Sequence, residues 1–249
     1  VTATALEQLS AFLVPAHKLE TKRGHVPTPW PTLNELLGGG WQLGALNEVH
    51  GPRSSGRTSI LYASLAAALQ RGAVAALVDT ESAFDPRRAE QAGIPLRQLL
   101  WVCAQPNQTF KAAELIVSAG GFELVGLDLG DYPPRLPTAG WIRLRNVAEK
   151  QGTAVLLTAR FPLAGTCSAM SLELRQRSVD FGFDAGLDDR RERFRPPLVT
   201  GIRSSACVSR GRHGPLSVVE CALFFCQPGS SSSSAAPSVA QLAAQRTPA

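Results

Sequence analysis

Nine consecutive residues, Gly51-Pro52-Arg53-Ser54-Ser55-Gly56-Arg57-Thr58-Ser59, limit how this chain can fold more than any other stretch. Before them, "ALNEVHG" alternates apolar and polar positions as a strand does. After Gly56, the pairs Ile60/Leu61, Ser64/Leu65 and Ala68/Leu69 recur at a four-residue spacing and lay one stripe along a helix. A glycine-spaced turn between strand and helix lets backbone N–H groups converge at the helix N-terminus, which is the construction of a phosphate-binding loop. In such a loop a lysine bridges the terminal phosphates and a Ser/Thr hydroxyl binds magnesium. All nine residues are therefore candidate nucleotide contacts, with Thr58 the candidate metal hydroxyl. Arg57 stands where the pattern asks for lysine. It keeps the charge but exchanges a compact ammonium for a wide planar fork, so binding is expected to outlast turnover.

Three more apolar runs follow, "VAALVD" at 74–79, "ELVGLD" at 123–128 and "TAVLLTA" at 153–159, separated by helix-like segments. Short continuous apolar runs alternating with helices imply a parallel sheet buried on both faces. Beyond residue 198, "LVTGIRSSACVSR" and "LSVVECALFF" flank a Gly/Pro-containing turn and predict an antiparallel hairpin on the sheet edge. The expected fold is α/β, a central mostly parallel sheet flanked by helices with that hairpin added. The expected division is an N-terminal helix and proline-rich arm over 1–29, a core over 30–227 and a disordered Ser/Ala-rich tail over 228–249.

Carboxylates end two of the buried runs. Asp128 closes "ELVGLD", where it would reach magnesium through water; Asp79 and Glu81 follow "AALVD", and Glu81 is placed to activate a water against a terminal phosphate. Asp79 and Glu81 are expected beside the loop across adjacent strands. Ligands of open α/β sheets gather at the strands' carboxyl ends, where all of these fall.

Charge is uneven along the 249 residues. Residues 1–134 hold 10 basic and 12 acidic side chains and residues 135–212 hold 14 and 7, so a polyanion would meet the second region. With 44% hydrophobic and 18% charged residues, no bilayer-length apolar run and no basic-then-apolar leader, a cytoplasmic location and no membrane contact are expected. Five cysteines without a C-x-x-C pair suit free thiols.

"LLGGGWQLGALNEVHGPRSSGRTS", "ALVDTESAFDPRRAEQAGI", "ELVGLD", "TAVLLTAR" and "VSRGRHGPL" follow one another as the corresponding segments do in bacterial RecA recombinases, a resemblance that covers roughly residues 30–226. It implies a RecA-like P-loop NTPase core with ATP and Mg2+ as cofactors, Glu81 activating water and Asp128 near the metal. It also implies Asp85 near the adenine, Arg88 where the family stacks a tyrosine, and Arg210 and Arg212 near a pair of lysines that reach the neighbouring subunit's ATP.

Several features of that family are missing together. The strand that ends Asn-Gln in the family ends Thr158-Ala159 here, the first DNA-binding loop, within "LGDYPPRLPTAGW", is short, and the second, "RFPLAGTCSAMSLELRQR", lacks its glycine-rich middle. The family's C-terminal domain has no counterpart, only the Ser/Ala tail. The glycine-tryptophan lead-in more closely resembles the ImuA group, the SulA/RecA-like accessory proteins of the bacterial mutasome. That resemblance implies a role in SOS-type translesion mutagenesis, beside RecA recombinase and a Y-family polymerase-like protein, with single-stranded DNA as a further partner. Whether ATP is hydrolysed stays open. The rivals are an active ATP- and single-stranded-DNA-dependent recombinase and an interaction module that binds no nucleotide.

Other constellations carry less. His17, His25, His50 and His213 have no metal spacing, Cys221 and Cys226 read as core thiols, and no nucleophile elbow is present. Arg190, Arg191, Arg193 and Arg195 around Phe194 suit either a phosphate backbone or a solvated connector. Trp30, Trp41, Trp101 and Trp141 are expected mostly in core or rim packing, though an exposed Trp30, between prolines, would suit a partner surface.

Overall fold

The computed structural model describes residues 24–131, 133, 137–182, 198–211 and 218–224. Within them the buried runs become strands: β1 (His25–Val26), β2 (Trp41–Gln42), β3 (Leu46–His50), β4 (Ala75–Asp79), β5 (Leu99–Cys103), β6 (Leu124–Asp128), β7 (Ala154–Ala159), β8 (Ser168–Gly182), β9 (Leu198–Arg210) and β10 (Val218–Phe224). The helices are α1 (Pro31–Leu37), α2 (Arg57–Gln70), α3 (Pro86–Gln91), α4 (Thr109–Ala119) and α5 (Thr138–Gln151). Eight strands form one sheet in the order β10-β9-β8-β3-β7-β6-β4-β5, and β1 pairs with β2 apart from it. From β8 to β5 every neighbour is parallel, whereas β9 and β10 are antiparallel additions at the other edge.

Both faces of the parallel sheet are covered, which is why its strands read as unbroken apolar runs. Ala75, Leu77, Ala154 and Leu156 face one layer with Leu33 and Leu37 of α1 and Ile60, Leu61, Leu65 and Leu69 of α2. Ala76, Val78, Val155 and Leu157 face the other with Ile116 and Val117 of α4 and Trp141 and Leu144 of α5. Ser64, inside the apolar stripe of α2, is buried because its hydroxyl accepts the Trp41 indole N–H at 2.9 Å. Pro31 opens α1 at a position where a helix has no use for the missing N–H, and Gly38, left-handed at φ 71°, closes it.

Three sequence expectations change. Trp30 is buried, 7% exposed, because β1–β2 pairing and hydrogen bonds from Thr28 to Asn34 draw residues 24–30 onto the core. The stretch expected as a second DNA-binding loop is a connector to residue 164, one turn of 3-10 helix at Gly165–Cys167, and then β8, 15 residues long and paired with β3 and β9. Third, β4 does not neighbour β3: β7 and β6 lie between them, a separation of about 14 Å at the usual strand spacing. The antiparallel hairpin forms as expected, its strands in the register Val218↔Cys207 to Phe224↔Gly201. Residues 1–23, the arginine cluster at 190–195, Arg212 and the tail 228–249 lie outside the described residues.

Candidate functional site

Strand register brings the site together. Asp79 is level with Asp128, Asp128 with Thr158, and Thr158 with Val49, so one row across β4, β6, β7 and β3 ends at the phosphate-loop candidate. The Gly51 N–H donates to the Ala159 carbonyl at 3.3 Å, tying the loop's first residue to the end of β7. A Cβ on Gly51 would stand 2.4 Å from the Leu174 carbonyl oxygen, so only glycine fits there. Ser54 and Gly56 adopt left-handed backbone at φ 58° and 95°, and α2 starts at Arg57. Ser55 is buried, its carbonyl accepting the Ser204 hydroxyl of β9 at 2.8 Å. Pro52, Arg53, Ser54 and Thr58 are exposed, while Arg57 and Ser59 are partly covered. The N-terminus of a 14-residue helix thus lies beside the exposed Thr58, an arrangement that suits an anion.

Arg57 does not reach into open solvent. One guanidinium N–H donates to the Gly130 carbonyl at 3.2 Å and another to the Asp131 carboxylate, leaving the side chain 12% exposed. Arg53 donates to the second oxygen of the same carboxylate. Burial alone would push Asp131 upward, but the hydrogen bonds and charges of the two arginines outweigh it and hold its pKa below the usual carboxylate value.

Glu81 meets the same turn. Its carboxylate accepts the Asp131 N–H at 3.1 Å and fills the space where a Cβ on Gly130 would sit, 2.0 Å from the carboxyl carbon. Glu81 therefore meets the loop region through the turn after β6, the strand beside its own β4, and not by adjacency of β4 to β3. Asp128 accepts the Gly130 N–H at 3.1 Å and the Thr158 hydroxyl at 3.0 Å. Burial, reinforced by the Asp79 charge, raises its pKa, and those two hydrogen bonds only partly offset the rise. Asp79, almost fully buried, is occupied in holding the chain that follows β4: it accepts the N–H groups of Ala83 at 3.1 Å and Phe84 at 2.8 Å.

Arg53, Arg57, Glu81 and Asp128 thus converge on Gly130 and Asp131. Asp85 and Arg88 stay apart. Asp85 caps α3 by accepting the N–H groups of Arg87 and Arg88, and it pairs with the exposed Arg88 side chain at 3.5 Å. Arg210 ends β9, exposed and level with Ser171 of β8. Sequence reasoning missed Asp131, Gly130 and Thr158. The Gly-Asp pair two residues after a strand-ending aspartate was the available signal, and it was read only as the start of a shortened loop.

The donor set fits phosphate: two guanidiniums, a helix N-terminus and a hydroxyl. Among the described residues no three His, Cys, Asp or Glu side chains cluster to hold a metal. Magnesium keeps waters and shares phosphate oxygens, so the Thr58 hydroxyl and Asp128 suit it only alongside a bound phosphate.

A glycine-spaced loop feeding the helix beside the central strand of a parallel sheet, with an antiparallel edge, is the architecture of a RecA-like α/β core. Residues 16–132 match the RecA N-terminal domain, a span that takes in the loop, Glu81, Asp128 and Asp131. Protein RecA of Lactobacillus delbrueckii subsp. bulgaricus is 35% identical over 115 residues, 45% of this chain and 34% of that protein. Protein RecA of Bacillus subtilis is 36% identical over 115 residues, 45% of this chain and 32% of that protein. These matches support the RecA-like superfamily for this chain, and the matched stretch spans about a third of the length of those relatives. No helix among the described residues is long and apolar enough to cross a membrane.

Proposed function

We propose that this chain is a DNA-repair accessory protein of the ImuA type, acting in SOS-type translesion mutagenesis, that binds nucleotide with weak or absent hydrolysis. The observation that carries the reading is the engagement of Arg57 by Asp131 and Gly130. A residue that should lie along the terminal phosphates is already spent on the protein itself, and Glu81 is held by the same turn. Both groups are thus engaged by the protein's own turn after β6.

In this reading the loop 51–59 cradles the phosphates of ATP with its backbone N–H groups, and Arg57 and Arg53 balance their charge. Thr58 and Asp128 would hold Mg2+, whose contribution when bound is to neutralise charge between phosphate oxygens. Glu81 is the one group suited to orient and deprotonate a water, and Asp85 and Arg88 lie toward the base. Arg210, with Arg212, would face nucleotide on a neighbouring copy. The partners are RecA recombinase and a Y-family polymerase-like protein, with single-stranded DNA touching the basic second half.

The test is ATP binding and hydrolysis by the purified chain with and without single-stranded DNA. Binding with weak or no turnover, and none that DNA stimulates, is expected. DNA-stimulated hydrolysis would overturn the accessory role in favour of an active RecA-type recombinase, and absence of nucleotide affinity would favour a pure interaction module.

A further inference from the structure

We propose that Asp131 is a resident anion in the phosphate site, which incoming phosphate must displace, and that its displacement releases the turn after β6. This rests on the nucleotide-binding reading above.

The arrangement is that of a bridging oxyanion. One carboxylate oxygen takes a guanidinium N–H from Arg57, the other takes one from Arg53, and both arginines belong to the phosphate loop. A carboxylate and a phosphate present arginine with the same planar pair of acceptors, so the two compete for one fork. Lysine, a point charge, would not be claimed so fully, which gives the arginine at position 57 a purpose beyond conserving charge. Asp131 brings one negative charge to two positive ones. A polyphosphate brings more, so the exchange favours the ligand once it arrives, at an affinity reduced by the resident contact.

Nothing in the core has to move for the exchange. Asp128 is fixed at the end of β6 by Thr158 and by its register with β4 and β7, and Leu129 is buried with its N–H on the Thr158 carbonyl at 2.9 Å. The next residue, Gly130, is left-handed at φ 66° and forms a natural hinge. Beyond it the turn is held to the loop side by the arginine contacts and by the Asp131 N–H on Glu81. Phosphate that takes the arginines removes the first of these and loosens the second, so that Asp131 is released from the loop side. Asp131 is thus a positioning residue that couples the phosphate site to the turn at Gly130 and Asp131.

The experiment measures calorimetric affinity for inorganic tripolyphosphate in the parent chain, Asp131→Asn and Asp131→Ala. It is combined with amide hydrogen exchange of the parent over residues 124–137, with and without tripolyphosphate. Both variants should bind roughly three- to tenfold more tightly, the scale of losing a partly exposed charge-assisted pair. In the parent, exchange at Asp131 should speed up on binding. Equal affinities, or unchanged exchange on saturation, would overturn the resident anion while leaving the phosphate site standing. No binding by any of the three chains would sink the nucleotide reading and this proposal together. The exchange measurement needs no variant, so a misfolded substitution does not rescue the idea.

Discussion

Gly130 is the residue on which the site geometry turns. Its left-handed backbone costs a side chain on the order of 1–2 kcal/mol, and its missing Cβ is the space the Glu81 carboxyl occupies. Gly130→Ala should therefore lower stability by roughly 1–3 kcal/mol in denaturant titrations; full stability in the variant would mean that Glu81 does not lie there. Asp128 answers to pH. Its pKa is raised above 3.8, so the folded chain holds that proton more tightly than the unfolded one. The stability this provides is complete below 3.8 and lost as pH climbs through the folded value. Asp128→Asn keeps an oxygen acceptor for Gly130 and Thr158 without the charge. Its Tm should exceed the parent's at neutral pH, with the difference closing in acid, and a lower Tm at neutral pH would refute the electrostatic account. Arg57→Lys should raise nucleotide affinity severalfold, because a single ammonium cannot hold the Gly130 carbonyl and Asp131 as the planar fork does; calorimetry showing no gain would count against a retained site.

Among the elements, those with a local signature were legible in the sequence and those made by pairing were not. Each of β4, β6 and β7 is buried on both faces and announces itself as a nearly continuous apolar run, whereas β3, equally buried, shows itself by alternation ahead of the glycine-spaced loop. β5 hid because it is the edge strand, with Leu100 and Trp101 more than 40% exposed. β8 hid for a different reason: its first half follows a Pro- and Gly-containing connector, and its polar alternation reads as loop until β3 and β9 supply the partners. The device that turns that stretch into structure is Glu48 on β3. This buried carboxylate accepts the N–H groups of Leu163 at 2.5 Å and Ala164 at 3.2 Å and the Ser171 hydroxyl at 3.3 Å, pinning the end of the connector and the start of β8 to β3. Nothing in "ALNEVHG" reveals those partners, which are more than 110 residues away. The site was legible to the same degree. Loop and strand-end carboxylates were found from spacing, whereas Asp131 was missed because its meaning comes from two arginines 74 and 78 positions earlier. Glu48→Ala strands two N–H donors in the interior and should cost roughly 2–5 kcal/mol, read by urea unfolding; a loss under 1 kcal/mol would mean the connector is held by other contacts.

At the scale of the whole molecule, the basic excess of the second half coincides with the side of the sheet away from β4 and β5. Arg175 and Arg177 lie on β8 and Arg203 and Arg210 on β9, all exposed, while Glu173 and Asp180 answer Arg175 and Arg203 directly. Those pairs reduce the local field without cancelling it, since the Arg177 guanidinium donates to an uncharged acceptor, the Ser205 hydroxyl. A surface of this kind holds a phosphate backbone through a few contacts and reads no bases. Binding to a single-stranded oligonucleotide should then be weak and strongly dependent on salt. About three phosphate contacts imply a fall on the order of tenfold in affinity between about 50 and 200 mM KCl. Replacing Arg175, Arg177 and Arg203 together by glutamine should flatten that slope while leaving tripolyphosphate affinity at the loop unchanged, because the three are engaged by Glu173, Ser205 and Asp180 on the β8–β9 surface. If the slope survives the triple substitution, the DNA lies elsewhere on the molecule. If affinity does not depend on salt in the parent, the charge asymmetry serves protein partners, and the β8–β9 surface is where an acidic one would dock.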